Sequence, residues 1–254
     1  MRLCGHTMGT PALSLEEAMA LFAKVGYEGI EIRCADNGHL HPEDITEQKL
    51  QSVCDCARRV GLEIACLTPY YGDYSSPEAT RLTVEGLTKV ARAAQKLGCK
   101  IVRAIPGHWP LEGTTFLAAQ RQLADGLRAA GDAVAPYDVT LGVETHGGTL
   151  AFNADTTLAL LALVEHPKVR LILDYYWLAV AGDEDPDSVM PDLVPLTAHV
   201  HVKDLVWHGK EHGSVPLGQG QINWPLILAH LLAWGYDGYL SDEYEKLWHP
   251  KLPD

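Results

Sequence analysis

The feature that most constrains the fold is a strand–helix unit of roughly 32 residues, which occurs eight times along the 254-residue chain. Short runs with a two-residue apolar period alternate with longer segments whose apolar residues recur every three or four positions. Alternating strands and helices form parallel sheets, and eight such units close into a barrel. The sequence therefore predicts an α/β fold, a (β/α)8 TIM barrel, as a single domain over residues 1–254.

The bounds of the individual strands and helices are predicted from the spacing of apolar residues and from residues that typically begin or end helices. Strands are predicted at residues 2–6, 29–33, 62–68, 100–105, 140–144, 169–174, 198–202 and 239–242. Helices are predicted at residues 14–25, 46–60, 77–97, 117–130, 155–165, 186–196 and 222–233, of which 186–196 is a weak pattern. Ser14 and Glu17 have the spacing of a capping box, and Gly26 is placed to end the first helix. Only 11 residues follow Glu243, so we expect the last helix to be short, at residues 245–249, or missing; an open sheet is the alternative.

Composition excludes several classes of partner. The chain has 33 acidic and 20 basic residues, and a net charge of −13 disfavours nucleic acid and anionic membranes. No apolar run reaches the roughly 18 residues of a membrane span, and the first residues lack a hydrophobic signal region, so we expect a cytoplasmic protein. The six cysteines contain no CxxC pair, which argues against a structural zinc site. Four of them recur about every 30 to 33 residues in or beside apolar runs and are interpreted as buried thiols: Cys4, Cys34, Cys66 and Cys99.

The seventh strand carries the clearest polar signal. Residues 199–204 read His-Val-His-Val-Lys-Asp, which places His199, His201 and Lys203 on one face. A polar face of this kind is unfavourable inside a barrel unless something binds there. The alternative is an exposed polar edge strand. We interpret His199 as a buried support and His201, nearer the strand end, as a ligand.

Acidic residues stand at the ends of the neighbouring strands. Glu144, Asp174, His201 and Glu243 end strands five to eight, and catalytic groups of such barrels lie at the carboxyl ends of strands. Three clustered carboxylates raise one another's pKa unless a cation lies among them. Three oxygen ligands and one imidazole suit one divalent ion, Mn²⁺ first, with Mg²⁺, Co²⁺ or Zn²⁺ as alternatives. Each acid taken singly could instead cap the following helix.

Further residues near these strand ends are predicted to bind substrate. Lys203 could neutralise an oxyanion or hold a carboxylate or phosphate; the alternative is a surface lysine paired with Asp204. Aromatic side chains suit the apolar faces of a ring-form sugar, cyclitol or glycoside, although they could instead form a dimer interface. The other predicted substrate-binding residues are His6, Arg33, Tyr70, His108, Trp109, His146 and Trp177.

The sequence resembles the xylose isomerase-like barrels, a superfamily of sugar isomerases and epimerases related to D-tagatose 3-epimerase, inosose dehydratase and endonuclease IV. The resemblance rests on residues 26–31 (Gly-Tyr-Glu-Gly-Ile-Glu), 199–204, 218–224 (Gly-Gln-Gly-Gln-Ile-Asn-Trp) and 235–239, followed by Glu243. It covers nearly the whole chain.

The resemblance implies a ligand set and a reaction. The metal ligands would be Glu144, Asp174, His201 and Glu243, with Glu144 and Glu243 also acting as the catalytic acid and base. The implied function is a divalent-metal-dependent isomerase or epimerase of a ketose, keto-sugar or cyclitol, which transfers a proton through a metal-stabilised enediolate. Dimers and tetramers are frequent among such proteins, so we expect a homo-oligomer.

Two positions favour an alternative reaction. Trp177 stands where many of the epimerases have a histidine, and Lys203 resembles the lysine of the inosose dehydratase branch. The alternative is therefore a lyase or dehydratase of the same scaffold, including β-elimination of a 3-keto-glycoside. A repair nuclease is disfavoured by the net charge, and a non-catalytic barrel by the intact set of four ligands.

Overall fold

The structure is a computed structural model that describes residues 1–182 and 185–253. Within these ranges the strands are β1 Arg2–His6, β2 Gly29–Cys34, β3 Glu63–Pro69, β4 Ile101–Ala104, β5 Thr140–Glu144, β6 Val169–Asp174, β7 Thr197–Val202, β8 Asp204–His208, β9 Glu211–Val215 and β10 Tyr239–Asp242. The helices are α1 Leu15–Val25, α2 Glu47–Val60, α3 Pro77–Leu97, α4 Phe116–Val134, α5 Ala154–Val164, α6 Tyr175–Ala181, α7 Pro186–Leu193 and α8 Trp224–Ala233.

Eight of the described strands close into a parallel barrel in the order β1-β10-β7-β6-β5-β4-β3-β2, which confirms the predicted TIM barrel. The described residues after β10 form turns, so of the two expected outcomes the last helix is missing, and the short helix at residues 245–249 does not form. The physical reason is that this segment is held at the barrel mouth, where the backbone N–H of Leu247 donates to the carbonyl of Met8. None of the described helices has the length and apolar character needed to cross a membrane.

Local sequence signals explain where the helices begin and end. Ser14 Oγ accepts a hydrogen bond from the backbone N–H of Glu17, and the Glu17 carboxylate accepts one from the Ser14 N–H at 2.8 Å, as the capping box predicts. Gly26 ends α1 with a φ of 95°, a conformation that side chains disfavour. Two helices, α6 and α7, lie between β6 and β7, where the sequence predicts one.

Polar side chains occupy much of the barrel interior. Alternation along β7 directs His199 and His201 inward, whereas Val200 and Val202 join the apolar core that includes residues of α8. TIM barrels ordinarily fill this space with branched apolar residues, so the buried polar groups require partners of their own. Four cysteines are buried free thiols, as predicted: Cys4, Cys34, Cys66 and Cys99.

The hairpin β8–β9, which the sequence does not predict, follows β7 at the carboxyl end of the barrel. The Asp204 carboxylate accepts hydrogen bonds from the backbone N–H groups of Leu205, Gly218, Gly220 and Ile222, at 3.0 to 3.2 Å. A Cβ at Gly220 would overlap this carboxylate, which explains why glycine stands there. One side chain thus joins the start of the hairpin to the loop that follows it.

Candidate metal centre

The structure brings four predicted ligands into one cluster. Glu144 ends β5, Asp174 ends β6, His201 lies near the end of β7, and Glu243 follows β10. Each residue offers a ligand atom, and these atoms all lie within 4.8 Å of one another. All four are at most 2% exposed, so water competes little for them. The parallel register pairs Asp174 directly with His201, which is why these two side chains meet.

His201 is held by carboxylates at both ring nitrogens. Its Nδ1 lies 2.9 Å from Glu144 Oε1 and 3.3 Å from Glu243 Oε2, while its Nε2 lies 3.1 Å from Glu31 Oε1. Glu243, Glu31 and Glu144 hold the pKa of His201 well above its usual value, although burial alone would lower it. The ring therefore directs Nδ1 toward the two glutamates of the cluster and Nε2 toward Glu31.

Glu31 lies deeper in the barrel and supports His201. It is fully buried, accepts a hydrogen bond from Thr68 Oγ1, and lies 2.8 Å from His199 Nε2. Burial alone would raise the pKa of Glu31, but His201, His199 and His6 hold it well below its usual value. Glu31, His199 and His201 also place ligand-type atoms within 4.8 Å of one another, and hydrogen bonds between them account for that closeness.

Two buried cations neutralise part of the cluster. Arg103 Nη1 donates to Glu144 Oε2 at 2.9 Å. Lys203 Nζ lies 2.7 Å from Glu243 Oε2, 2.8 Å from Asp174 Oδ2 and 3.2 Å from Glu245 Oε1. The alternative of a surface lysine paired with Asp204 is wrong, because Lys203 is 5% exposed and points into the barrel.

The cluster retains excess negative charge. Burial raises the pKa of Asp174 to about 7, against the pull of Lys203 and with the help of Glu243 and Glu144. Asp174 Oδ2 is buried, and its contact with Lys203 Nζ at 2.8 Å is an ion pair that lacks the geometry of a hydrogen bond. A raised carboxyl pKa and a buried oxygen with one cationic neighbour fit a site that holds a further cation. The donor set of three carboxylates and one imidazole fits Mn²⁺, Mg²⁺, Co²⁺ or Zn²⁺.

His6, predicted to bind substrate, lies at the wall of this cluster. Its Nδ1 accepts a hydrogen bond from the backbone N–H of Met8, so in the neutral ring the proton is on Nε2. Burial lowers the pKa of His6 to about 4, which keeps it neutral at pH 7. Nε2 lies 3.7 Å from Glu31 Oε1 and 4.0 Å from Glu243 Oε1 and makes no hydrogen bond with the described residues. It is therefore a donor available to a bound molecule.

Trp177 forms a second wall. Its ring lies 4.4 Å from that of His146, centroid to centroid, and its centroid is 5.6 Å from Lys203 Nζ. On its other side, Trp177 and Trp109 line an apolar cavity of about 280 Å³. Of the predicted residues, Trp177 and His146 therefore lie at the edge of the cluster. Trp109 lies farther from the cluster, in the lining of the apolar cavity beside Trp177.

The remaining predicted residues lie in two other places. Arg33 and Tyr70 line a cavity of about 350 Å³ at the barrel mouth, and Tyr70 also contacts Arg103 through its ring face. His108 is exposed and lines a separate cavity of about 210 Å³ together with Tyr74 and Gln122. The structure therefore does not bring His108 to the cluster.

Three residues of the site do not lie at the carboxyl ends of predicted strands and are not among the predicted site residues: Glu31, Arg103 and Glu245. Glu31 and Arg103 lie within strands, where each is a charged residue with apolar residues on both sides, which is a signal that the sequence offers. Glu245 lies beyond β10, in a segment with no periodic pattern, and no sequence signal marks its contact with Lys203.

A closed parallel barrel with three carboxylates and a histidine at the ends of four neighbouring strands defines a TIM barrel with a candidate divalent-metal centre. The chain belongs to the xylose isomerase-like TIM barrel family, whose profile matches residues 19–253. The predicted resemblance is therefore confirmed.

Similar proteins include enzymes of two classes. A 3-dehydroshikimate dehydratase of Bacillus anthracis is 24% identical over 245 residues, covering 89% of this chain and 84% of that protein. A putative hydroxypyruvate isomerase of Homo sapiens is 24% identical over 214 residues, covering 77% of this chain and 74% of that protein. The IolI protein, solved with a bound zinc atom, superposes with a TM-score of 0.83 at 20% identity, covering 97% and 92% of the two chains. Family members are thus isomerases and a dehydratase.

Proposed function

We propose that the protein is a divalent-metal-dependent isomerase or epimerase that moves a proton next to the carbonyl of a ketose, keto-sugar or cyclitol. The observation that carries this proposal is the buried group Glu144, Asp174, His201 and Glu243, with three clustered carboxylates and a raised pKa at Asp174. The names of both curated relatives describe hydroxylated carbonyl compounds, which is the same broad class.

The four residues would hold one ion, with Mn²⁺ as the first choice and Mg²⁺, Co²⁺ or Zn²⁺ as alternatives. When bound, such an ion polarises a carbonyl oxygen and makes the adjacent C–H group more acidic. Zinc in the IolI protein supports a divalent ion in this scaffold. Arg103 and Lys203 offset part of the negative charge of the carboxylates, and a divalent ion would offset the charge that remains.

Glu144 and Glu243 are the proposed proton carriers. Glu144 ends β5 and Glu243 directly follows β10. These strands are separated in the barrel by β6 and β7, so the two carboxylates reach the cluster from different sides. Burial would raise the pKa of Glu144, but Arg103 lowers it to about 2, which keeps this group ionised and able to accept a proton. One carboxylate removes a proton from carbon and the other returns one to the opposite face. His6 Nε2 donates a hydrogen bond to a substrate oxygen.

A lyase or dehydratase is the second candidate, and Lys203 favours it. Its ammonium group lies beside Asp174 and Glu243 and 5.6 Å from the Trp177 ring centroid, where it could protonate a departing oxygen. Proton removal by one glutamate followed by loss of a β-substituent would give elimination. The relative that covers 89% of this chain is named a dehydratase.

A metal titration tests the proposal. Protein stripped by a chelator is titrated with Mn²⁺ by calorimetry, beside the variants Asp174→Ala and Asp242→Asn. We expect one ion per wild-type chain, loss of binding in Asp174→Ala, and retained binding in Asp242→Asn, because Asp242 bonds to Tyr27 outside the cluster. Binding that survives Asp174→Ala would refute the proposed site.

Isotope exchange separates the two reactions. Ketoses and keto-glycosides are incubated with the metal-loaded protein in D₂O, with Glu243→Gln as the inactive reference. Deuterium on carbon without loss of a substituent indicates isomerase or epimerase chemistry, whereas loss of a hydroxyl or glycosidic group indicates a lyase. Full turnover by Glu243→Gln would contradict the assigned proton carrier.

A further inference from the structure

Arg33 is a buried cation without an acidic partner. The structure describes three buried arginine and lysine side chains, and two of them, Arg103 and Lys203, pair with carboxylates. Arg33 is 4% exposed and forms no ion pair with any carboxylate in residues 1–182 or 185–253. This is unexpected in a chain with 33 acidic residues. A buried charge without a counter-charge is unfavourable, so Arg33 is suited to an anion from outside the chain.

The surroundings hold Arg33 in place without neutralising it. Its Nε donates to the Tyr70 hydroxyl at 2.9 Å, and its Cζ lies 5.0 Å from the ring centroid of Tyr70 and 5.5 Å from that of Trp248. Attraction to aromatic faces is weaker than an ion pair with a carboxylate, so these rings orient the group and leave its charge uncompensated. The Nη atoms of Arg33 donate to no described residue and remain available for a bidentate contact.

A cavity gives an anion access to Arg33. The space of about 350 Å³ is lined by Arg33, Tyr70, Tyr71 and Trp248, and its volume accommodates a small ligand. Asp36 also lines it, but its side chain is 97% exposed and pairs with His41 at 3.4 Å. Glu31, the acidic residue nearest to Arg33 in sequence, bonds to His199 and His201 instead.

One aromatic ring joins this cavity to the candidate metal centre. The Tyr70 ring contacts two guanidinium groups, with Arg33 Cζ at 5.0 Å and Arg103 Cζ at 4.6 Å from its centroid. Arg103 in turn donates to Glu144. Arg33 is therefore linked to a candidate metal ligand through two intervening side chains, those of Tyr70 and Arg103.

We infer that Arg33 binds a carboxylate carried by the substrate, which makes the substrate a sugar acid, keto acid or carboxylated cyclitol rather than a neutral sugar. The planar guanidinium matches the two oxygens of a carboxylate, and the aromatic faces pack against the adjoining carbon chain. The assignment of this carboxylate to a substrate rests on the proposed function; the anion site itself rests on Arg33 alone.

Glycolate, a minimal hydroxy acid, is the probe for this site, and glycolamide is its uncharged counterpart. Both are titrated into chelator-treated protein at constant ionic strength, by calorimetry and by the fluorescence of Trp248, with Trp248→Phe identifying that signal. The variants are Arg33→Gln, which removes the positive charge, and Arg33→Lys, which keeps a positive charge but lacks the planar guanidinium group. Because no metal ion is present, glycolate cannot bind by chelating an ion at the candidate metal centre, and the measured binding is not due to chelation.

The expected result is saturable binding of glycolate to wild-type protein, no saturation by glycolamide, at least tenfold weaker binding by Arg33→Gln, and an intermediate affinity for Arg33→Lys. Equal affinity of wild type and folded Arg33→Gln would overturn the inference, as would the absence of saturable binding by the wild type. The Mn²⁺ titration of Arg33→Gln is expected to match the wild type, so loss of the anion site and failure of the metal proposal give different results.

Discussion

Substitution of Glu31 by glutamine tests whether His201 depends on support from deeper in the barrel. Glu31 Oε1 faces His201 Nε2 at 3.1 Å, and Oε2 faces His199 Nε2 at 2.8 Å. Glutamine has the same shape but offers one oxygen and one amide nitrogen. If the amide nitrogen faces His201, the Nε2–H group of that ring loses its acceptor, because Nδ1 already donates to Glu144. If it faces His199, that ring must move its proton to Nδ1, which has no partner among the described residues.

The magnitude follows from this single lost contact. A buried donor left without an acceptor lowers the free energy of unfolding by about 1–3 kcal/mol. A residue that orients a ligating histidine changes metal affinity by about 10–100-fold when it is replaced, because the ligand loses both its orientation and its basicity. Urea unfolding at equilibrium measures the first quantity, and calorimetric titration with Mn²⁺ measures the second.

Asp242→Asn is the matched control for Glu31→Gln. Asp242 is another largely buried carboxylate at the end of the barrel, and its side chain bonds to Tyr27 rather than to His201. It should lower Mn²⁺ affinity far less than Glu31→Gln does. The reasoning is refuted if folded Glu31→Gln binds Mn²⁺ within about twofold of the wild type, or if both variants lose the same affinity.

Three further outcomes are expected. Lys203→Met removes a positive charge beside Asp174 and Glu243, so calorimetry should show roughly tenfold tighter Mn²⁺ binding while turnover falls. Protons compete with the ion at Asp174, whose pKa is about 7, so affinity should decrease as the titration is moved from about pH 8 to about pH 6. Burial and Asp242 raise the pKa of Tyr27 above its usual value of 10.0, so the folded state retains a proton that the unfolded chain loses. Stability should therefore fall above about pH 10, and Tyr27→Phe should reduce that fall in thermal unfolding.

The barrel could be predicted from the sequence because its repeat and its helix ends are local properties. Ser14, Glu17 and Gly26 mark their boundaries by side-chain chemistry that acts within a few residues. The turn at residues 245–249 could not be predicted in this way, because its conformation depends on contacts with Met8, just after β1, and with Lys203, which are distant in sequence. The β8–β9 hairpin was missed for a related reason, since Asp204 connects segments that are separated along the chain.

The four candidate ligands were accessible to sequence analysis because the carboxyl ends of parallel strands meet at one place. Glu31 and Arg103 required knowledge of which strand face points inward and of the partners across the barrel. The position of His108 could not be settled by its place after strand four, since the loop turns it outward to solvent. Strand order thus predicts which residues can approach one another, whereas loop geometry decides which of them do.

The carboxylate of Asp204 makes the hairpin between it and Gly218 an exchangeable module. Both ends of that segment are fixed to one side chain, which directly follows Lys203. The tip of the hairpin, residues 208–211, can therefore change in length or composition while Lys203 keeps its place beside the cluster. A new loop at this end of the barrel could therefore be introduced at the tip of the hairpin, with Asp204 and Gly220 left unchanged.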